Sequence, residues 1–199
     1  MFRLGWDAMN RNHRRDVVAK AIEVLDDYGL ADLTMRRLGA ELGVRPSALY
    51  HHFADKQTLL AAVADELLAR ANWPATGEWA DRAAAICATL RDQLLAYRDG
   101  AELVATVHSF GLGARQPYEL LVAALAEGGV GGLAPQAART LLHFVYGHAV
   151  DEQTHLQAAA AGAIDDDPRE SDDFGTGLGI VIAGIQVVRA ARQLGPTGA

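Results

Sequence analysis

Apolar residues recur along the chain at three- and four-residue spacing and nowhere alternate over the length of a strand, so the pattern predicts helices throughout. In a first helix, at about 12–28, Val17, Val18, Ala21, Ile22, Val24 and Leu25 form one face and Gly29 stops the run. Thr34 caps a second helix at 34–42, with Met35, Leu38 and Leu42 inward and Gly43 ending it. A third helix, at 45–52, has Pro46 in its first turn, where the missing N–H was unpaired in any case, and turns Leu49 inward. Asp55 opens a fourth helix through Leu59, Leu60, Val63, Leu67 and Leu68, broken by the stretch from Asn72 to Gly77, which marks a domain-level boundary. Further helices are predicted at 78–98, 101–110, 115–127, 135–161 and 175–193, jointed at Asp99-Gly100, Gly111 to Gly113 and Gly128 to Gly132. The acidic stretch from Asp165 through Asp173, with Pro168, reads as a mobile surface loop. The expected fold is all-α, without internal repeats.

Half of the 199 residues are hydrophobic, enough to bury a core in one large domain or two small ones. The longest apolar runs, Gly177 to Val188 and Leu120 to Leu125, fall short of the roughly 20 residues that cross a bilayer, so no membrane partner is expected. The opening Met1 to Asp7 has no apolar core of signal-peptide length, which places the protein in the cytoplasm. Cys87, the single cysteine, has no internal disulfide partner and reads as a small core residue.

Charge changes the picture by its distribution. The net charge of −7 argues against a protein that coats nucleic acid nonspecifically. Residues 1–56 nevertheless carry nine Lys/Arg against eight Asp/Glu, or +1, which leaves 9 against 17, or −8, for the rest. An acidic body with a locally basic end suits a protein that meets phosphate on one small surface. Either Met1 or Met9 serves as the first residue, and in both cases Arg11, Arg14 and Arg15 offer a basic arm toward phosphate.

The second and third helices meet at Gly43, as a helix-turn-helix requires: one helix to cross the backbone, a tight turn, and a second helix that fits a major groove about 12 Å wide. Leu38, Leu42, Val44 and Leu49 are expected to lock the pair, leaving Arg45, Ser47, Ala48, Tyr50 and His51 facing outward beside Pro46. Arg45 can donate to phosphate or to guanine O6 and N7, Ser47 can bond either, and the Ala48 methyl can pack against thymine. Tyr50, His52 and Lys56 suit phosphate clamps that set the register, while Thr34 and Arg36 can reach phosphate from the second helix. Residues 1–56 are therefore expected to read DNA, and 57–199 to form a second domain.

The run Leu33-Thr34, Leu38, Leu42-Gly43-Val44, Leu49-Tyr50, Phe53 and Lys56 followed by Leu59-Leu60, preceded by Ala21 to Gly29, resembles the N-terminal domain of the tetracycline-repressor family of transcriptional regulators. Trp79, Tyr97-Arg98-Asp99-Gly100-Ala101, Tyr118-Glu119 and Asp151-Glu152-Gln153-Thr154-His155 are similar, in the same order, to the ligand-binding domain of the tetracycline repressors. That second resemblance implies an all-helical body that dimerises through a four-helix bundle, here built from 135–161 and 175–193. It implies an effector pocket at Ile86, Leu90, Val104, His108, Phe110, His143, Gly147 and Asp151. His108 matches the family's metal-ligating histidine when spacing is taken from Tyr118, whereas spacing from Asp99-Gly100 puts Val104 there. Asp151 stands where the family has a glutamate holding a metal-bound water, and Asn72 and Ile86 replace a His and an Asn that meet the drug. Magnesium, held by His108 and through water by Asp151, is expected only with a tetracycline-like chelator; otherwise no cofactor is required.

A dimer also follows from physics, since one recognition helix reads too few bases and a palindromic operator needs a two-fold protein. The last predicted helix, with Ile180, Val181, Ile182, Ile185, Val187 and Val188, is too apolar to face water. The expected protein is a repressor, not an enzyme, released from operator DNA by a small-molecule effector. Two other classes remain open: a DNA-binding regulator controlled by a partner protein, and a metal-dependent helical enzyme using His148, Asp151, Glu152 and His155, which share a helical face but lack the His-Glu-x-x-His order.

Overall fold

The computed structural model describes residues 3–165 and 173–193, with side chains from residue 14 onward. Nine α-helices follow one another among the described residues: α1 (Arg3–Tyr28), α2 (Met35–Glu41), α3 (Pro46–Leu49), α4 (Lys56–Ala69), α5 (Trp79–Leu95), α6 (Gly100–Ser109), α7 (Gln116–Glu127), α8 (Ala134–Ala160) and α9 (Asp173–Gln193). A short 3-10 turn at Gly131–Leu133 precedes α8, and no strand occurs among the described residues. Most of the acidic stretch read as a mobile loop, residues 166–172, lies outside the described residues, as does the side chain of Arg11.

The chain forms two compact units, Met1–Arg70 with Gln93–Ala114, and Ala71–Asp92 with Arg115–Ala199. The first is larger than residues 1–56 because α4 packs on both α1 and α6. Leu59, Leu60, Val63, Leu67 and Leu68 of α4 are buried, so this helix is the unit's central member. Its start is fixed by Asp55, whose carboxylate accepts the Thr58 N–H at 2.7 Å and the Thr58 hydroxyl at 2.8 Å. Those bonds hold the Asp55 pKa below the ordinary aspartate value. A depressed folded-state pKa contributes stability that is present above the unfolded value and lost as pH falls through the folded one. The protection factor of the first-turn amides of α4, their exchange relative to the intrinsic rate at each pH, is accordingly expected to fall below about pH 4, and to lose that pH dependence in Asp55→Asn.

Two further polar contacts tie the far end of α1 to the corner between α5 and α6. The Leu30 N–H donates to Asp99 Oδ2 at 2.7 Å, and the Arg98 N–H donates to Asp26 Oδ1 at 3.1 Å. Asp99 holds a left-handed backbone, φ 55°, to make this reach.

In the second unit, α7 packs along α8, burying Leu121, Ala124 and Leu125 against a face that includes Leu141, Leu142 and Val145. The Trp79 ring lies so close over Gly128 that a Cβ there would stand 2.3 Å from the ring, which is why this joint carries a glycine. Arg91 of α5 makes a two-pronged contact with Glu152 of α8, at 2.9 and 2.5 Å. Helix α9 buries only Leu178 and Ile182 of its side chains, while Ile180 and Val187 are 69% and 68% exposed. By length and composition α9 is apolar enough to cross a membrane, contrary to the expectation from Gly177 to Val188, because the helix extends beyond that stretch at both ends.

Candidate nucleic-acid interface

Helix α3 is too short to persist alone, and its neighbours hold it. Leu49 of α3 itself, Leu38 of α2 and Phe53 just past the helix are almost wholly buried. The Gly39 position is within 3.0 Å of the Val44 carbonyl, measured from where a Cβ would sit, so only glycine lets α2 and the turn approach this closely. The Thr34 hydroxyl accepts the Arg37 N–H at 3.1 Å, capping α2 as expected.

Two local expectations need correction. Val44 does not lock the helices with its side chain, which is 43% exposed; its main chain makes the contact instead, its N–H donating to the Gly39 carbonyl at 2.9 Å. The third helix is regular only over Pro46–Leu49, because the chain tightens afterward: the His51 and His52 N–H groups bond carbonyls three residues back, at 3.3 and 2.9 Å.

Of the five residues expected to face outward, four are exposed and Ala48 is not fully so. Arg45, Pro46, Ser47, Tyr50 and His51 are exposed, and Ala48 and His52 half-buried. Arg45 stands at the cap position of α3 without spending its side chain on the cap. Arg36 of α2 is exposed, while Thr34 and Lys56 are half-buried.

Pattern alone did not divide the basic residues by use. Arg14 donates to the His52 carbonyl at 3.2 Å and lies 4.5 Å over the Phe53 ring. Arg37 stacks 3.6 Å over Tyr28 and pairs with Asp32 at 3.2 Å, and Lys20 pairs with Glu23. Arg15, Arg36, Arg45 and Lys56 make no such contact among the described residues, so their charge is available for phosphate or base edges. Only three dimensions show that Arg14 and Arg37 each find an aromatic ring.

The residues assigned to an effector pocket lie in both units. In the second, Ile86 and Leu90 are buried in the core, while His143, Gly147 and Asp151 follow one another along an exposed face of α8. In the first, Val104 is buried, His108 half-buried and Phe110 59% exposed. Cys87, beside Ile86, is fully buried, and loss of solvation pushes its thiol up to about 12, so it is inert at neutral pH.

The rival metal face does not assemble. Both Glu152 oxygens bond Arg91, leaving His148 Nδ1 at 3.6 Å from Oε2. His148 packs its ring edge against Phe174, 5.1 Å between centroids, and no group of three or more potential ligands that could hold a metal occurs among the described residues.

Comparison with known proteins bears on the same segments. Residues 17–63 match the family described as bacterial regulatory proteins, tetR family, and residues 73–172 match the tetracyclin repressor-like C-terminal domain. The class D tetracycline repressor protein of Escherichia coli is 34% identical over 163 residues, covering 75% of this chain and 71% of that protein. The crystal structure of Mycobacterium smegmatis BioQ is 44% identical with a TM-score of 0.82, covering 88% of this chain and 98% of that one. A structure of BioQ with its natural double-stranded DNA operator is 42% identical with a TM-score of 0.76, covering 87% and 97%.

Proposed function

Since the chain belongs to the tetR family of bacterial regulatory proteins, with a DNA-binding domain at its N-terminal end, we propose that it is a repressor, a cytoplasmic homodimer that binds a palindromic operator and leaves it when a small-molecule effector binds the body. The observation that carries the DNA-reading part is the outward set Arg45, Ser47, Tyr50 and His51 on a segment anchored from beneath by Leu49 and Phe53. The neighbour solved on its operator supports the same reading. The exposed apolar face of α9 supports the dimer: with α8 it borders a groove of about 380 Å³ that Leu133, Ala137, Ile180, Val181, Ile185 and Val188 help to line. A second copy covering this face would remove it from water and set two recognition segments for half-sites about 34 Å apart.

The proposed release is a shift between two states. Helix α4 packs on both α1 and α6, so a displacement of α6 reaches the head through α4. An effector shifts this equilibrium only by its difference in affinity for the two states. A tetracycline with magnesium is the first effector to try, because proteins named tetracycline repressor are among the relatives.

Fluorescence anisotropy on an operator selected from a randomised duplex library, at two salt concentrations and with or without tetracycline and magnesium, tests the proposal. Salt-dependent, sequence-selective binding is expected, and a selection that yields no consensus would refute it. Arg45→Ala is expected to cost about 1–3 kcal/mol per head on the operator and to relax selectivity at one position. Lys56→Ala should weaken binding to all sequences alike, reducing the salt slope by about 1 per head. An unchanged slope would remove Lys56 from the phosphate contacts.

A further inference from the structure

The recognition segment is stabilised from below by apolar burial, but its carboxyl end poses a separate problem. Past Leu49 the chain leaves the helix through Tyr50, His51 and His52 in a tightened turn, where the His51 and His52 N–H groups bond the Ala48 and Leu49 carbonyls. The Tyr50 and His51 side chains, which face outward, hang on this irregular turn. Their aim depends on what fixes the turn.

Arg14 of α1 reaches it from across the unit, 38 residues away in sequence. Its guanidinium donates to the His52 carbonyl at 3.2 Å and lies 4.5 Å from the centre of the Phe53 ring. One planar cation thus bonds the His52 carbonyl at the end of the turn and covers the aromatic residue that anchors it. Arg15, next in sequence and also exposed, has neither contact among the described residues.

We propose that Arg14 is a positioning residue for DNA reading: it acts through the His52 carbonyl and the Phe53 ring to fix the direction of Tyr50 and His51, and does not itself bind phosphate. This rests on the reading of α3 as the DNA-contacting segment. Lysine cannot replace it, because an ammonium lacks the planar face that covers the ring while donating to the carbonyl.

Two measurements test the assignment separately. In the free protein, hydrogen–deuterium exchange of Arg14→Gln is expected to rise in peptides covering 46–58 and to stay unchanged in those covering α7 and α8. Unchanged exchange at 46–58 would overturn the clamp whether or not the protein reads DNA. In anisotropy titrations on the selected operator and on a scrambled duplex, Arg14→Gln and Arg14→Lys are expected to lose about tenfold per head on the operator, the effect of one charge-assisted bond and a ring contact. Scrambled-duplex affinity and the salt slope are expected to stay at their unsubstituted values, which separates this role from general loss of stability. Parallel losses on both duplexes with a slope lower by about 1 per head would make Arg14 a phosphate contact instead and overturn the proposal. Absence of any operator preference in the unsubstituted protein would instead refute the DNA reading itself, and the proposal with it, while the exchange result would still decide the clamp.

Discussion

Val187→Asp is expected to convert the proposed dimer to monomers and to weaken operator binding at least about a thousandfold, the low end of the gap between specific and nonspecific affinity. Ile180, Gly184, Val187 and Val188 fall within two turns of α9 on one side of the helix, and all four are exposed. A carboxylate placed among them would have to be desolvated without a partner when a second copy docks, whereas in the monomer it remains hydrated. Two half-sites then bind independently, and the advantage of linking two weak contacts is lost. Sedimentation velocity and anisotropy on the selected operator measure the two effects. Val187→Leu, which keeps the face apolar, should remain dimeric. An aspartate variant that stays dimeric with full operator affinity would place the dimer interface elsewhere.

Helix boundaries were legible in the sequence where a cap or a glycine marked them. Thr34, Asp55 and Gly43 stand where expected because their side-chain oxygens or missing Cβ act on the backbone within three residues. The limits at 116–127 and 134–160 came within a residue of those expected, since Pro117, Gly128 and Pro135 punctuate the chain there. What local pattern could not supply was the grouping of helices. Nothing within α4 or α6 states that the two share a unit with α1; that depends on contacts between residues far apart in sequence. The exposed side chain of Val44 has the same cause, because an apolar residue in a tight turn is placed by main-chain bonding and not by hydropathy.

Within the candidate interface, residue type identified the outward face of α3 but not the fate of each cation. Arg36 and Arg37 are neighbours in sequence, yet only Arg37 meets a ring and a carboxylate. The helix turns about 100° between them, so one faces solvent and the other the end of α1. The four-residue stripe at 148–155 shows the opposite failure. Its spacing suited a metal, but the deciding partner, Arg91, lies 61 residues from Glu152 and was invisible to any helical pattern.

Phe53→Ala is expected to cost about 3–5 kcal/mol, enough to unfold the DNA-reading end while leaving the second unit folded. Phe53 is fully buried, and its N–H bonds the Leu49 carbonyl at 3.0 Å, so the ring anchors the turn that follows α3. A four-residue helix has almost no stability of its own, so its order comes from Leu49 and Phe53. Removing the ring opens a cavity under the turn and takes away the surface that Arg14 covers. Binding should therefore be lost on operator and scrambled duplex alike, unlike the selective loss expected of Arg45→Ala. Phe53→Leu, which fills most of the volume, should cost less than about 1.5 kcal/mol and keep operator binding. Urea unfolding followed by circular dichroism, with sedimentation to confirm that the variant remains dimeric, checks both substitutions. An alanine variant within about 1 kcal/mol of the unsubstituted protein and still selective for the operator would show that Leu49 and the α2 packing suffice to hold the recognition segment.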